Sequence, residues 1–195
     1  MLANRVCKSE GKANFNAEGQ ITKGVIAMGV SVYGYAGLKL KQLGGENEDL
    51  SGPGFDDDSY VYLSPSPDQW QANGLQPGIY SYRGLVEKPL GSYLYFSEFR
   101  DQLSKLIESD PDGPDTTSVF KEILVGSDTY LMMGPATLEE LHDSFESAYG
   151  ARIDEMLMKT DYEGFYQTYQ DIRTACEEAR SIDWGEGCFG ALLIT

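Results

Sequence analysis

The chain has 195 residues, with 15 Lys and Arg against 31 Asp and Glu, and its formal net charge is -16. Hydrophobic residues make up 41% and aromatic residues 12% of the sequence, which is typical of an ordered globular protein and excludes a disordered acidic tail, a collagen and a coiled-coil rod. This length favours one domain that buries a core of its own.

The negative charge is unevenly distributed along the chain. Residues 1–44 hold six bases and two acids, a balance of +4, so the remaining residues carry -20. Such an excess repels nucleic acids and anionic membranes, because phosphate contacts need Lys or Arg, and we expect neither partner. The same field attracts basic protein surfaces, although acidity by itself also suits an ordinary soluble protein, and both interpretations stay open.

The cysteines and the N-terminus indicate the compartment. Cys7, Cys176 and Cys188 are an odd, widely spaced set that fits neither a disulfide framework nor a zinc site. The N-terminus lacks the apolar segment of a secretory signal, and Gly and Lys interrupt the most apolar stretch, residues 25–40. We expect reduced thiols, no metal or organic cofactor, no membrane span and a cytoplasmic location.

The first half of the chain predicts strands. Residues 1–24 are polar and rich in Gly and predict an N-terminal arm or weak hairpin, whereas residues 25–195 predict a single domain. Apolar residues alternate with period two over residues 28–41, which indicates a strand with a bend or bulge at Gly34 or Gly37. An exposed acidic loop is expected over residues 44–58, and short aromatic strands over 60–63 and 79–82.

The second half predicts mainly helices. Ser92 is the expected N-cap of a helix over residues 92–106, and a short helix over 118–124 and a strand over 129–133 follow. A capping box that begins at Thr137 predicts the start of a helix whose apolar face extends to Tyr149. A long helix over 161–181 and a buried strand over 188–194 complete an α+β fold, a mainly antiparallel sheet packed with about four helices.

Four segments carry a family resemblance: GVSVYGY at 29–35, GSYLYFSEFRDQLSKL at 91–106, FKEILVGSD at 120–128 and GPATLEELHDSF at 134–145. With them the chain resembles an uncharacterised family of phages and bacteria with G-S-Y-x-x-(Y/F)-x-x-(W/F)-R-x-x-L and S-D-x-x-x-x-x-G-P patterns. The resemblance spans residues 29–180 and implies association with a phage but no known activity. Ser31 replaces an acidic residue of the pattern, and Thr129 and Tyr130 replace its Cys-Glu pair.

Arg100, Asp128 and Tyr93 are the candidate ligand-binding residues. Arg100 lies at the edge of a predicted helix, and Asp128 lies in a Gly-Ser-Asp turn. A guanidinium and a carboxylate brought together there, with Tyr93 nearby, would form a bidentate pair. The pair is either the floor of a small-molecule or enzymatic pocket or a structural salt bridge between helix and turn.

Other catalytic and metal-binding patterns are incomplete. His142 is the single histidine, and Asp143 beside it is poorly placed to orient it, so we expect a surface histidine. Asp56, Asp57 and Asp58 lack the alternating ligands of an EF-hand, which favours a solvated acidic loop. Nucleotide-binding loops and nucleophile elbows are absent from the sequence, and we expect a protein that is not an enzyme.

These patterns together predict a non-catalytic acidic interaction protein. The resemblance adds an association with a phage. The protein would bind a basic host protein by charge complementarity and inhibit it, and this partner would handle nucleic acid or act in defence. Strand tyrosines would either form a protein-binding face or cover the core. A pocket protein and a virion component are the alternatives. The predicted interface residues are Asp56, Asp57, Asp58, Tyr60, Tyr62, Trp70 and Tyr82.

Overall fold

The computed structural model describes residues 29–44, 59–65, 74–110, 120, 123–124, 131–160, 163–180 and 187–195. The arm predicted at residues 1–24 and most of the acidic loop predicted at 44–58 lie outside these residues, and the single domain stays a prediction. The elements of the described residues are, in order, β1 (Gly29–Leu43), β2 (Ser59–Leu63), β3 (Gly78–Tyr82), β4 (Gly84–Ser92), α1 (Tyr93–Ser109), β5 (Leu131–Met133), α2 (Pro135–Glu146), α3 (Ala148–Met158), α4 (Glu163–Arg180) and β6 (Phe189–Ile194).

The strands form one antiparallel sheet, which confirms the predicted α+β class. The strand order is β2-β3-β1-β6-β5, and β4 pairs with β1. The first half of β1 pairs with β4 and β6, and its second half pairs with β3. We call β4, β1, β6 and β5 the main section of the sheet, and β2, β3 and the second half of β1 the small section.

A bend in β1 joins the two sections. Its pairing register with β6 shifts between Tyr35 and Leu38, and Gly37 there has a φ of 64°. Glycine is favoured at such a position because it has no Cβ to clash in the left-handed region. The bend that the sequence predicts at Gly34 or Gly37 is therefore confirmed at Gly37.

The first core lies between the main section and the helices. A Cβ built on Gly34 of β1 would lie 2.3 Å from the carbonyl oxygen of Ala175, and one on Gly190 of β6 would lie 2.1 Å from that of Ala179. Since Ala175 and Ala179 are one turn apart on α4, the two glycines let this helix lie directly on the sheet. The centre of this core includes Val32, Phe99, Leu103, Ile153, Ile172 and Leu192.

The second core is formed by the small section together with the opposite side chains of the main section. It is rich in tyrosine, since Tyr35, Tyr80 and Tyr82 are all buried in it. The Tyr80 hydroxyl donates a hydrogen bond of 2.7 Å to the Gln76 carbonyl, which fixes the chain that leads into β3. The remaining buried residues are Leu38, Val61, Leu63, Leu75, Met132, Ala191 and Leu193.

The helix starts confirm one sequence prediction and correct another. Ser92 caps α1 as predicted, and its Oγ accepts a hydrogen bond from the Tyr95 amide at 3.2 Å. The predicted capping box at Thr137 is wrong, because the N-cap is Gly134, three residues earlier, and α2 begins at Pro135. Proline is favoured in a first turn because its φ is preset and no amide partner is needed. Thr137 instead donates to the Gly134 carbonyl at 3.2 Å.

The helix predicted to extend to Tyr149 is two helices. Ser147 has extended backbone angles and ends α2, and its Oγ accepts a hydrogen bond of 2.9 Å from the Gly150 amide at the start of α3. A Cβ on Gly150 would lie 2.2 Å from the Ser144 carbonyl oxygen, so this corner needs glycine. Tyr149 therefore joins the core from α3 and not from α2.

The two described cysteines should differ sharply in reactivity. Cys176 is buried in α4, and burial raises the pKa of its thiol to about 12, whereas Cys188 is partly exposed. The thiolate is the nucleophile, so iodoacetamide should modify Cys188 in the native protein and Cys176 only after unfolding. Mass spectrometry of the labelled peptides measures this, and equal labelling of both cysteines in the native protein would contradict the packing of α4.

Candidate protein-interaction surface

Arg100 of the predicted pocket has a structural contact. Its guanidinium donates a hydrogen bond to the carbonyl of Leu124, and the amides of Leu124 and Ile123 donate to the Phe120 carbonyl at 3.1 and 2.9 Å. Arg100 thus fastens the turn formed by these residues to α1. Tyr93 lies two helical turns before it with a 40% exposed side chain. Asp128 and most of the short helix predicted at 118–124 lie outside the described residues, so an Arg100–Asp128 pair stays a prediction.

An aromatic cluster that the sequence does not predict holds the same turn. Phe120 is buried, and its ring centroid lies 5.1 Å from that of Phe145 and 5.7 Å from that of Tyr169. Phe145 and Tyr169 also pack edge to face at 5.2 Å. Phe120 has a φ of 55°, which is unfavourable for a residue with a Cβ. Packing of its ring therefore compensates for backbone strain, and no sequence pattern signals this conformation.

The predicted interface tyrosines lie on different sides of the small section. Tyr60 and Tyr62 are half-buried and alternate along β2 with Val61 and Leu63, which point into the second core. Tyr82 is instead a core residue, only 8% exposed, with its ring 5.2 Å from that of Tyr35. The prediction of Tyr82 as an interface anchor is therefore corrected, because its side chain lies on the core-facing side of β3. Asp56, Asp57, Asp58 and Trp70 lie outside the described residues.

The strands and the helices of the described residues differ in net charge. The strands contain three bases and one acid, a balance of +2, whereas the helices contain five bases and thirteen acids, a balance of -8. Of the twelve carboxylates whose side chains the structure describes, ten are exposed. The outer faces of α1 to α4, which we call the acidic helix layer, therefore carry the negative potential of the described part of the chain.

Helix α2 has the most one-sided charge. Its outer face exposes Glu139, Glu140, Asp143 and Glu146, and the helix contains no Lys or Arg. The opposite face is buried in the first core, so helical periodicity places all four carboxylates on the solvent side. They lie within about 10 Å along the helix axis. We call these four residues the α2 acidic face. The side chains that anchor its inner side are Thr137, Leu138, Leu141 and Phe145.

Two ion pairs hold this face against α4. Arg173 lies 2.7 Å from Glu146, and Arg180 lies 2.6 Å from Glu139. The hydrogen bond from Arg180 is the main cause of the lowered pKa of the Glu139 carboxyl. The partners are seven residues apart on both helices and in opposite order, so α2 and α4 run antiparallel. Because the pairs are partly exposed, they add little to stability, and they orient the carboxylates at the two ends of the face.

His142 is more buried than the sequence suggests. Its side chain is 20% exposed, and Nδ1 lies 3.7 Å from Oδ1 of Asp143. The prediction of a solvated surface histidine is therefore corrected, because the Nδ1 atom of the ring is buried.

Comparison with known proteins gives no family. No protein-family model, curated protein or solved structure matches the chain. The resemblance to the phage and bacterial family therefore stays a prediction. Among the described residues, no helix is long and apolar enough to span a membrane, and no three His, Cys, Asp or Glu side chains are grouped to hold a metal ion.

Proposed function

We propose that this protein is a non-catalytic interaction protein that binds a basic protein surface through its acidic helix layer. The observation that carries the proposal is the α2 acidic face, where four exposed carboxylates occur without a Lys or Arg on the same helix. The ion pairs with α4 hold Glu139 and Glu146 in place, so part of the face is ordered before a partner arrives. A preordered face loses less conformational entropy on binding.

Charge complementarity explains how such a surface would select its partner. A net charge of -16 accelerates encounter with a basic protein and disfavours acidic proteins and nucleic acids. In a host protein that binds nucleic acid, the basic surface normally meets phosphates, and a row of carboxylates can occupy it instead. The proposal therefore includes inhibition of a basic host protein that handles nucleic acid or acts in defence, and the family resemblance adds only an association with a phage.

Charge-reversal variants test the proposal. We expect wild-type protein to capture a basic protein from host lysate at low salt, and Glu140→Lys/Asp143→Lys to lose it. Both residues are exposed on α2, and neither takes part in the ion pairs with α4, so the fold should persist. Quantitative mass spectrometry of the bound fraction measures the loss.

A matched control changes the same charge elsewhere. Glu87 is exposed on β4 in the main section, outside the acidic helix layer, so Glu87→Lys gives the same net charge as the single variant Glu140→Lys and leaves all four helices intact. This control should retain at least about half of the captured protein, because it preserves the α2 acidic face. Equal loss from Glu87→Lys and Glu140→Lys would contradict a role for α2 and would indicate a response to net charge alone.

A further inference from the structure

We propose that the outer edge of β2 pairs antiparallel with β2 of a second copy, so that the small sections of two copies form one continuous sheet. No described strand pairs with this edge, since β2 is the terminal strand of the sheet order. An open edge presents backbone amides and carbonyls to an incoming strand. The inference is independent of the proposed function, which uses the helices.

Edge strands β4 and β5 of the described sheet are protected against strand addition. Edge strand β4 contains Pro89, which has no amide hydrogen, together with Glu87 and Lys88, and its pairing with β1 contains a register shift. Edge strand β5 has three residues, all buried. Charges, proline, bulges and short length are the features by which proteins block edges. Among the described edge strands β2, β4 and β5, β2 is the one that combines a length of five residues with neither charge, proline nor bulge.

The sequence of β2 suits pairing with itself. Its residues, Ser-Tyr-Val-Tyr-Leu, are uncharged, and Val61 and Leu63 anchor the strand in the second core. Antiparallel pairing centred on Val61 would place Tyr60 opposite Tyr62 of the second copy, and Tyr62 opposite Tyr60. Aromatic residues opposite one another on neighbouring antiparallel strands stabilise a sheet. Both tyrosines are half-buried in the single chain, so each has further surface to bury.

The strands of the small section carry less negative charge than the described helices, although Asp56, Asp57 and Asp58 directly precede β2 in the sequence. The strands of the small section carry Lys39 and Lys41 and no Asp or Glu, whereas the helices have a balance of -8. Two copies that meet through their small sections keep the acidic helix layers apart. The net charge of -16 on each copy still opposes association, so the dimer should become tighter when salt screens that repulsion.

Sedimentation equilibrium of the full chain tests this pairing. In about 0.5 M NaCl, where the Debye length is only a few ångströms, wild-type protein should reach a dimer as its concentration rises from micromolar to millimolar. Tyr62→Lys and Tyr60→Lys place a charge on the edge and should remain monomeric. Tyr33→Lys places the same charge at a half-buried tyrosine of β1, an interior strand, and should still dimerise.

Hydrogen exchange supplies the second readout. Amides of β2 should exchange more slowly at dimer-forming concentration in the wild type and show no such change in Tyr62→Lys, while circular dichroism reports that each variant is folded. A wild type that is monomeric throughout, or a dimer that survives both edge variants, would overturn the proposal. A dimer that weakens as salt rises would also overturn it, because pairing at an uncharged edge between two acidic copies requires the opposite response.

Discussion

Alanine at Gly34 is expected to lower the free energy of unfolding by about 3 kcal/mol, and alanine at Gly190 by a similar amount. The new methyl carbons would lie 2.3 and 2.1 Å from the carbonyl oxygens of Ala175 and Ala179, and both are backbone atoms of α4. A backbone carbonyl in a helix cannot rotate aside without breaking the helix, so α4 must move off the sheet. The first core then loses close packing along its whole length.

Urea unfolding followed by circular dichroism measures this effect. The midpoint should fall in both variants while the slope stays constant, which indicates a change in stability and not in the extent of unfolding. Gly29→Ala on β1 is the matched control, because its Cβ would lie 3.7 Å from the Gly91 carbonyl oxygen, an ordinary van der Waals contact. Unchanged midpoints for Gly34→Ala and Gly190→Ala would mean that α4 does not lie directly on β1 and β6.

Phe120→Ala should destabilise the protein by about 4 kcal/mol, the usual cost of removing a buried aromatic ring. The substitution removes the ring that packs against Phe145 and Tyr169 but keeps a Cβ at the unfavourable φ of 55°. Phe120→Gly removes the ring and the steric strain together. The glycine variant should therefore be more stable than the alanine variant by about 1 kcal/mol, even though glycine is the smaller residue.

Thermal and urea unfolding of the two variants give the comparison. At an ordinary helical or extended position glycine would be the less stable of the two, since it loses more conformational entropy on folding. An alanine variant as stable as the glycine variant, or more so, would contradict the left-handed backbone at Phe120. A small loss in both variants would contradict the burial of its ring.

Local patterns account for most of the fold that the sequence predicts. The alternation over residues 28–41 matches β1, because one strand with two different faces must repeat every second residue. The apolar stripe of the predicted long helix matches α4, because a helix with one buried face repeats its apolar residues about every 3.6 positions. Strand β4 has no such pattern, since Gly84, Lys88 and Pro89 interrupt it, and its conformation follows from pairing with β1. Pairing with a strand distant in the sequence cannot be predicted from a short stretch of neighbouring residues.

The candidate surface is predictable only in part. Net charge indicates an acidic protein, but the separation of charge between strands and helices appears only once the elements are known. The Gly134-Pro135 pair signals the true start of α2, and the four-residue capping pattern at Thr137 competes with it. Tyr60, Tyr62 and Tyr82 have equal strand propensity, and their different burial depends on which face of the small section meets the second core.

The salt dependence of binding tests the central claim most directly. Calorimetric titration of the captured basic protein with the wild-type chain measures the dissociation constant in about 0.05 M and in about 0.5 M NaCl. The Debye length is shorter at the higher salt, so charges on the two proteins are screened more strongly there. An interface carried by the acidic helix layer predicts that the constant rises at least about tenfold at the higher salt. A dissociation constant that is equal at both salt concentrations would contradict recognition by charge.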